Sequence, residues 1–482
     1  MTGRTEGQLL IGGEWVASAG GRVEEVRSPY DGRVVGQAAV ADLSDADKAL
    51  AAAEHGAAVW RETPAHARLD VLIRAAALVD ERVETIAALL SAENGKTITE
   101  ARGEVGRASD MIRLAGYEGT QLYGDSLPLD AHRGTGLDKV GFTLRQPCGV
   151  VVAITPFNYP SLLVLHKVAP ALAAGNAVVL KPARATPLTA LALARAFTDA
   201  GLPPGVLNVL TGPGGRLGDA LVSDPRVRKV SFTGSTAVGE HIARTAGVKK
   251  LSLELGASCP VVILPDADVE AAASAIAAGG YINAGQVCIS VQRVIAHPRV
   301  HGDLLDALVP LVEAIPYGDP SQDGTRLGTL ISEAEARRVE GTLQAAVDGG
   351  ATLLTGGQRD GALVTPAVVD NVAPTAPLNT EELFGPAVAV STAEDWPTAI
   401  AYANSTPYGL GAGVFTKDVS AAVRAIRQID AGVIHINWTP LWRADLMPYG
   451  GLKASGIGKE GFRTAVSEMT EEKTIILHGR PW

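Results

Sequence analysis

Cysteine is scarce in this 482-residue chain, and that scarcity excludes two classes of protein. The three cysteines (Cys148, Cys259 and Cys288) are too few for the disulfide framework of a small secreted domain. No CxxC, HExxH or clustered Cys/His spacing is present, so no metal site is predicted. Free thiols suit a reducing compartment, and a cytoplasmic location is expected.

Long apolar runs and an excess of basic charge are also missing. The first residues lack the apolar segment of a signal peptide, and no run of 18 apolar residues occurs, so neither secretion nor a membrane-spanning segment is expected. The 52 acidic residues outnumber the 42 basic ones, which argues against a nucleic-acid-binding protein. Hydrophobic residues make up 46% of the chain, enough for a large core, and the length suggests two or three domains at roughly 150 residues each.

Apolar runs followed by Gly- or Pro-containing loops and helical patterns recur in the first half of the chain. Four such strand–loop–helix units are predicted, with strands at 149–154, 177–181, 206–211 and 229–233. Unbroken apolar strands in this arrangement are typical of a parallel sheet covered on both faces. Ligands of such sheets bind beyond the carboxyl ends of the strands, where the intervening loops lie.

Other regions show different periodicities. Residues 8–40 resemble β-hairpins, and residues 44–123 predict about three amphipathic helices. Residues 124–147 and the tail after 463 have extended character, whereas residues 251–440 predict a second α/β domain.

Three polar residues could carry chemistry, although each has an ordinary structural explanation. Cys288 follows a Gly-containing turn and could be a nucleophile, but most free cysteines are small buried hydrophobes. Glu254 lies in an apolar strand, where burial would raise its pKa toward that of a general base, unless it faces water at a sheet edge. Asn158 could donate its amide to an oxyanion or could simply form a turn.

Further residues could bind a phosphorylated ligand. Lys181 ends a predicted strand and could reach ribose or phosphate oxygens, or it could extend along the surface to water. Gly234 and Ser235 open a predicted helix whose N-terminus would attract a pyrophosphate. Glu382 could accept hydrogen bonds from ribose hydroxyls or could cap a helix.

Taken in order, seven motifs resemble those of the NAD(P)-dependent aldehyde dehydrogenase superfamily. The resemblance spans about residues 8–480 and is carried by these strings: Pro-Phe-Asn-Tyr-Pro at 156–160, Lys-Pro-Ala at 181–183, Phe-Thr-Gly-Ser at 232–235, Leu-Glu-Leu-Gly at 253–256, Gly-Gln-Val-Cys at 285–288, Glu-Glu-Leu-Phe-Gly-Pro at 381–386 and Pro-Tyr-Gly-Gly-Leu-Lys-Ala-Ser-Gly-Ile-Gly at 448–458.

The resemblance implies an α/β fold with three parts. A doubly wound, parallel cofactor-binding domain would comprise residues 1–123 and 146–253, and an α/β catalytic domain would comprise residues 254–462. An oligomerisation arm of β structure would combine residues 124–145 and 463–482 in a homodimer or homotetramer.

The resemblance also implies roles for individual residues. Cys288 would attack the aldehyde, Asn158 would hold the oxyanion, hydride would pass to NAD or NADP, and Glu254 would activate the water that hydrolyses the thioester. The implied cofactor-binding residues are Thr155, Pro156, Phe157, Lys181, Ala183, Arg184, Gly215, Phe232, Gly234, Ser235, Glu382 and Phe384.

Two departures from the family pattern bear on cofactor and substrate. Arg184 stands where many NAD-preferring members carry Glu, so NADP is expected to be accepted unless Arg184 points into solvent. The substrate tunnel is expected to carry several cationic or polar side chains where aromatic ones are common. The expected substrate-contacting residues are Arg102, Arg107, Tyr159, Leu162, His166 and Arg443, with Arg113 on the same helix face as Arg102.

These arginines favour a small aldehyde bearing a phosphonate, phosphate or carboxylate. The stretch at 443–451 also resembles the branch that contains the lactaldehyde, non-phosphorylating glyceraldehyde-3-phosphate and phosphonate-aldehyde dehydrogenases. If the arginines form surface or inter-subunit ion pairs instead, a neutral aldehyde such as lactaldehyde is expected. A thiol hydrolase and a catalytically silent structural homologue are weaker alternatives, because neither would need both the nucleophile set and the cofactor motifs.

Overall fold

The computed structural model describes residues 7–134 and 138–479 of the chain. The parts of the predicted domains at residues 1–6, 135–137 and 480–482 lie outside the described residues. Up to Glu254 the elements are β1 (Leu9–Ile11), β2 (Glu14–Val16), β3 (Val23–Arg27), β4 (Val34–Ala39), α1 (Leu43–Glu62), α2 (Ala65–Glu81), α3 (Val83–Asn94), α4 (Ile98–Gly119), β5 (Ser126–Leu127), β6 (Lys139–Pro147), β7 (Val150–Ile154), α5 (Leu162–Ala173), β8 (Ala177–Lys181), α6 (Pro187–Asp199), β9 (Leu207–Val209), α7 (Gly215–Ser223), β10 (Val227–Thr233), α8 (Thr236–Thr245) and β11 (Lys250–Glu254).

The second half holds β12 (Cys259–Ile263), α9 (Val269–Gly280), β13 (Val291–Ala296), α10 (Pro298–Glu313), α11 (Glu333–Asp348), β14 (Thr352–Thr355), β15 (Arg359–Asp360), β16 (Leu363–Val364), β17 (Ala367–Asp370), α12 (Pro377–Thr380), β18 (Ala387–Thr392), α13 (Trp396–Asn404), β19 (Gly411–Phe415), α14 (Val419–Gln428), β20 (Val433–Ile436), β21 (Gly456–Ile457), α15 (Phe462–Glu468) and β22 (Thr470–His478). Short 3-10 turns lie at Ile282–Gly285 and Lys453–Ser455.

The first sheet has the order β2-β1-β9-β8-β7-β10-β11-β21. The chain enters its centre at β7, winds outward through β8 and β9, and then reverses to β10 and β11, all in parallel pairs. The four predicted strands are therefore present and parallel. The hairpin structure expected within residues 8–40 includes β1 and β2, which pair antiparallel at one edge, whereas β21 adds an antiparallel edge that its short run did not reveal. The winding direction reverses between β7 and β10, and a ligand crevice is expected beyond their carboxyl ends.

The second sheet has the order β14-β17-β18-β13-β12-β19-β20 and is parallel from β17 to β20. A third, antiparallel sheet pairs β22 with β6 over nine residues and β6 with β5. This third sheet joins the two segments predicted to form one arm.

Buried acidic side chains from α3 and α4 hold the helices of the first sheet in place. Glu104 accepts backbone hydrogen bonds from Ser161 (2.8 Å) and Leu162 (3.1 Å) at the start of α5. Glu93 accepts in the same way from Leu188 and Thr189 at the start of α6. Neither helix is capped by its own N-cap side chain, so the glutamates accept hydrogen bonds from amide groups that have no partner within the helix.

The carboxyl-terminal segment crosses from the second sheet to the first. Strand β21 pairs with the edge of β11, and α15 packs against α4 and α5. Residues 456–457 thus extend the first sheet, although the resemblance assigns the segment 254–462 to the catalytic domain. Only glycine suits position 456, which has φ 147° and where a Cβ atom would lie 2.1 Å from the Leu253 carbonyl oxygen. None of the helices within residues 7–134 and 138–479 is long and apolar enough to cross a membrane.

Candidate active site

A strained turn presents Cys288 at the end of α9. Asn283 and Ala284 adopt positive φ angles (50° and 52°), and Gly285 (φ 72°) approaches the backbone of Gly385 so closely that a Cβ atom would lie 2.0 Å from its carbonyl oxygen. Cys288 is half-buried, whereas the other two cysteines are buried at 6% and 2% exposure. Cys288 is thus the thiol that a ligand can reach most easily.

Asn158, in the loop after β7, holds this turn by two hydrogen bonds. Its Nδ2 donates to the Gln286 carbonyl oxygen at 2.8 Å, and Asn283 Nδ2 donates to the Asn158 carbonyl oxygen at 3.0 Å. The acceptor lies two residues before Cys288, so the structure brings the predicted oxyanion donor and the predicted nucleophile into one loop cluster. Since an amide nitrogen carries two hydrogens, one remains for a ligand.

Glu254 ends β11 and is only 3% exposed. Neither of its carboxylate oxygens has a hydrogen-bond partner among the described residues. Burial, followed by the negative charge of Glu460, raises the pKa of Glu254 to about 7. A carboxylate in this state suits proton transfer near neutral pH.

The Cys288 thiol lies between groups with opposite effects on its pKa. Burial and then the charge of Glu254 raise the thiol pKa well above its usual range, whereas a hydrogen bond with Tyr449 lowers it. Tyr449 Oη lies 3.2 Å from Cys288 Sγ. Tyr159 and Cys288 both pack against an apolar cluster that includes Val287, Ile289 and Tyr449. Lys96 Nζ lies 3.8 Å from the centre of the Tyr159 ring.

The predicted cofactor residues surround the carboxyl ends of β7, β8 and β10. Thr155, Pro156 and Phe157 follow β7, with Phe157 meeting Phe384 edge to face at 5.9 Å. Lys181 ends β8 at 4% exposure, and burial lowers the pKa of its ammonium group to about 8. Its Nζ donates to the Pro182 carbonyl oxygen at 3.1 Å, and Ala183 follows in the same loop.

These residues fit a dinucleotide. Ser235 is the N-cap of α8 but makes no capping bond with its side chain, which leaves the helix N-terminus for a diphosphate. A Cβ atom at Gly234 would lie 2.5 Å from the Phe232 ring, so glycine is required there, while Gly215 opens α7 with no atom near its Cβ position. The buried Thr155 Oγ1 lacks a protein partner in the described structure.

Glu382 lies beside the turn that follows Glu254. Its Oε1 accepts a hydrogen bond from the Ala257 backbone at 3.0 Å, and burial raises its pKa to about 7. A Cβ atom at Gly256 would lie 2.8 Å from Glu382 Oε2, so the glycine allows this close approach.

Arg443 forms a buried ionic cluster behind the thiol. Its guanidinium lies 3.4 Å from Glu460 Oε2 and 3.4 Å from His166 Nδ1, and it stacks 3.9 Å above the Tyr449 ring. Lys167 Nζ contacts the other Glu460 oxygen at 2.9 Å. Burial, then the positive charge of Arg443, holds the pKa of His166 well below its usual range.

The predicted substrate arginines divide into two groups. Arg107 reaches Asp445 at 2.7 Å, two residues from Arg443. Arg102 instead pairs with Glu84 and Asp323, and neither it nor Arg113, which pairs with Asp80 and Asp110, contacts Arg443.

The helix period explains this division. At 100° per residue, positions 102 and 113 of α4 point away from position 104, which contacts the start of α5, whereas position 107 lies only 60° from it. Arg102 and Arg113 therefore share a face of α4 that points away from α5, and Arg102 lies with surface acids and not beside Arg443 as expected. Leu162 starts α5 as a core residue at 6% exposure.

Arg184 is exposed to solvent but is held by an ion pair. Its Nε and Nη2 donate to the two carboxylate oxygens of Glu24 at 2.7 and 2.9 Å, and its side chain is 62% exposed. Both residues line a cavity of about 550 Å³ that also includes Gly212.

Three residues of the site were not singled out in the sequence. Tyr449, Glu460 and Lys167 reach it only through the tertiary fold. A polar pair, His166 and Lys167, inside the otherwise apolar α5 was the available signal, because a wholly buried lysine requires a partner. Among residues 7–134 and 138–479 no group of three or more His, Cys, Asp or Glu side chains is arranged to hold a metal ion.

Comparisons with known proteins agree with this arrangement. The sequence model described as "Aldehyde dehydrogenase family" matches residues 15–475. The chain is 42% identical over 470 residues to the 3-sulfolactaldehyde dehydrogenase of Priestia aryabhattai, covering 98% of each chain.

Solved structures are also similar. The NADP-dependent glyceraldehyde-3-phosphate dehydrogenase of Bacillus halodurans C-125, complexed with NADP, matches with a TM-score of 0.96 at 36% identity, covering 98% of this chain and 100% of that one. An NAD-dependent aldehyde dehydrogenase of Sinorhizobium meliloti matches with a TM-score of 0.94 at 37% identity, covering 98% and 95%.

Proposed function

We propose a mechanism and a substrate class for this chain, which belongs to the aldehyde dehydrogenase family. Its fold class, its activity as an NAD(P)-dependent aldehyde dehydrogenase and its use of NAD or NADP agree with the predictions from the motifs. The proposal is that it oxidises a small anionic aldehyde to the carboxylic acid through a thioester on Cys288.

In the first step the Cys288 thiolate attacks the aldehyde carbon. A C–S bond forms, and the carbonyl oxygen becomes an oxyanion that accepts hydrogen bonds from Asn158 Nδ2 and the Cys288 backbone N–H. The bound nicotinamide supplies the hydride acceptor. When the thiohemiacetal loses hydride, the carbonyl reforms as a thioester on Cys288.

In the second step Glu254 removes a proton from water. The water oxygen attacks the thioester carbonyl, the C–S bond breaks, and the carboxylic acid leaves with Cys288 restored. The juxtaposition of Cys288, Asn158 and an unpaired, buried Glu254 is the observation that carries this proposal. Replacement Cys288→Ala is expected to abolish formation of reduced nicotinamide with every aldehyde, and residual turnover above 1% would contradict the mechanism.

The anionic substrate is supported by the environment of Arg443. Glu460 is shared between Lys167 and Arg443, so the cluster keeps a net positive charge, and Arg443 Nε has no protein partner in the described chain. An arginine in a buried site binds phosphate, sulfonate or carboxylate oxygens strongly. The similar enzymes from Priestia and Bacillus carry names whose substrates bear a sulfo or a phosphate group.

Kinetics with paired aldehydes test the substrate class. The variant Arg443→Met is expected to raise KM at least tenfold for sulfolactaldehyde and glyceraldehyde 3-phosphate, because a hydrogen bond to a charged group is worth about 1.5–3 kcal/mol. The KM for neutral lactaldehyde is expected to change little. Arg102→Gln, on the surface of α4, is the matched control and is expected to leave both values unchanged.

A neutral aldehyde is the second candidate. It is favoured by the existing contact of Arg443 with Glu460, which neutralises part of the arginine's charge. An unchanged KM for every anionic aldehyde in Arg443→Met would select this alternative.

Acceptance of NADP is supported by the position of Arg184 three residues beyond Lys181, in the loop between β8 and α6. Its pairing with Glu24 is exposed and therefore weak, so a 2′-phosphate could compete for the guanidinium. Comparing kcat/KM for NAD and NADP tests this. A strong preference for NAD that Arg184→Glu leaves unchanged would contradict a role for Arg184 in binding the 2′-phosphate.

Assembly into a homodimer or homotetramer is also part of the proposal. The sheet of β22, β6 and β5 exposes Val140 (62%), Leu144 (50%) and Leu477 (56%), an apolar surface of the kind that subunit contacts cover. Light scattering after size-exclusion chromatography measures the mass, and a monomer at micromolar concentration would contradict the assembly.

A further inference from the structure

The Cys288 sulfur has a polar neighbour that the proposed mechanism does not use. Tyr449 Oη lies 3.2 Å from Cys288 Sγ, within hydrogen-bond distance for sulfur. The tyrosine is 2% exposed, and its backbone exchanges two hydrogen bonds with Glu460 (3.0 and 2.6 Å). The phenol is therefore held at the sulfur by the fold and not by chance side-chain rotation.

A cation covers one face of the Tyr449 ring. The Arg443 guanidinium lies 3.9 Å from the ring centre and is held there by Glu460 and His166. A positive charge over an aromatic ring withdraws electron density from it and makes the phenolic hydrogen a better donor. A continuous series of contacts therefore joins Glu460 to Arg443, Arg443 to the Tyr449 ring, and the Tyr449 hydroxyl to the Cys288 sulfur.

The direction of the hydrogen bond follows from the ionisation states. A thiolate has no hydrogen, so it can only accept, and the tyrosine must donate. Burial holds the pKa of the Tyr449 phenol well above its usual range, which favours the protonated phenol as the donor.

We propose that Tyr449 is a catalytic residue that stabilises the Cys288 thiolate by donating its phenolic hydrogen to the sulfur, and that Arg443 is a positioning residue that strengthens this donor. The inference rests on the proposed role of Cys288 as nucleophile. Tyr449 and Glu254 then have opposite effects on one sulfur: the phenol favours the thiolate, and the carboxylate disfavours it.

All ionisable groups that face the thiol enter its pH dependence. They come from four segments and comprise Tyr159, Glu254, Cys259 and Tyr449, with Arg443, Glu460, Lys167 and His166 behind them. Since Tyr449 alone among them donates a hydrogen bond to the sulfur, a variant lacking only its hydroxyl isolates this contribution.

The test measures the pKa of the Cys288 thiol in the full-length protein without substrate. Iodoacetamide alkylation of the Cys288 peptide is followed by mass spectrometry from pH 5 to 10. In Tyr449→Phe the thiol pKa is expected to rise by about 1 or more, so that alkylation at pH 7 slows about tenfold. The control Tyr281→Phe loses a buried hydroxyl that donates to the Ala367 carbonyl oxygen and is expected to leave the profile unchanged.

Two further variants make the result independent of simple loss of structure. A 3-fluorotyrosine at position 449, a stronger donor of nearly equal size, is expected to lower the thiol pKa. Arg443→Met is expected to raise it by a smaller amount than Tyr449→Phe and to add nothing in the Tyr449→Phe background. Superimposable alkylation profiles for the wild type, Tyr449→Phe and the fluorinated protein would overturn the inference.

The inference and the proposed function fail separately. If Cys288→Ala keeps dehydrogenase activity, the proposed mechanism falls regardless of Tyr449. If Cys288→Ala is inactive but Tyr449→Phe leaves the thiol pKa unchanged, only the role of Tyr449 falls.

Discussion

Glu254 and Glu460 are both buried carboxylates near Cys288, yet their surroundings drive their pKa values in opposite directions. Glu254 has no hydrogen-bond partner in the described structure, and burial raises its pKa to about 7. Glu460 is also penalised by burial, but Lys167, His166 and Arg443 lower its pKa to about 2. Burial alone therefore does not determine the role of an acid, because the partners decide whether it can exchange a proton.

Removing the proton-accepting carboxylate is the change with the largest expected effect. Glu254→Gln is expected to slow steady-state turnover by about 10²- to 10⁴-fold, as loss of a general base typically does. A burst of reduced nicotinamide should persist in rapid mixing, because in the proposed mechanism hydride transfer precedes the step that needs Glu254. Loss of the burst together with turnover would show that Glu254 acts before the thioester forms.

Removing a cation that pairs with Glu460 is expected to lower the stability of the protein. Lys167→Met leaves Glu460 with one fewer cation in a wholly buried position and is expected to lower the free energy of unfolding by about 3–5 kcal/mol. Urea unfolding measures the loss. The matched Glu254→Gln should lose none of this stability at neutral pH, and equal losses would contradict the difference between the two acids.

The pH dependence of stability sharpens the comparison. Since the folded pKa of Glu254 (about 7) exceeds its reference value of 4.5, its contribution to stability is present below pH 4.5 and is lost as the pH rises to about 7. Glu254→Gln should therefore gain up to about 3 kcal/mol relative to wild type between pH 4.5 and 8.

Glu460 should behave in the opposite way. Its folded pKa is lowered, so its contribution is present above pH 4.5 and is lost as the pH falls toward 2. Glu460→Gln should accordingly be destabilised at pH 7. If the free energy of unfolding at pH 7 changes in the same direction in Glu254→Gln and Glu460→Gln, relative to wild type, this assignment of the two pKa values is refuted.

The smallest effect is expected at the exposed arginines. Arg102→Gln removes two surface ion pairs and should change the free energy of unfolding by less than about 1 kcal/mol. A loss comparable to that of Lys167→Met would mean that Arg102 is more than a surface residue.

Regular periodicity made most of the first sheet predictable, with β7, β8 and β10 within two residues of their expected bounds. The small residues at 268–284 predict a single helix, but the helix ends at Gly280 and the chain continues as a turn with left-handed residues. The helical pattern of small residues runs on past Gly280, whereas contact with the Gly385 backbone imposes the turn. Similarly, three helices were expected over 44–123 and four are present, because α2 and α3 join at Arg82 without a break in apolar spacing.

The linear sequence was sufficient to predict roles for Cys288, Glu254, Asn158 and the cofactor loops, because each lies in a short motif whose chemistry depends on neighbouring residues. Only the tertiary structure decided which charges meet: Arg443 with Tyr449 and Glu460, Arg102 with Asp323, Arg184 with Glu24. The reason is physical. Electrostatic interaction depends on distance and burial in three dimensions, and helix rotation and chain crossings set both over sequence separations as large as the 338 residues between Arg107 and Asp445.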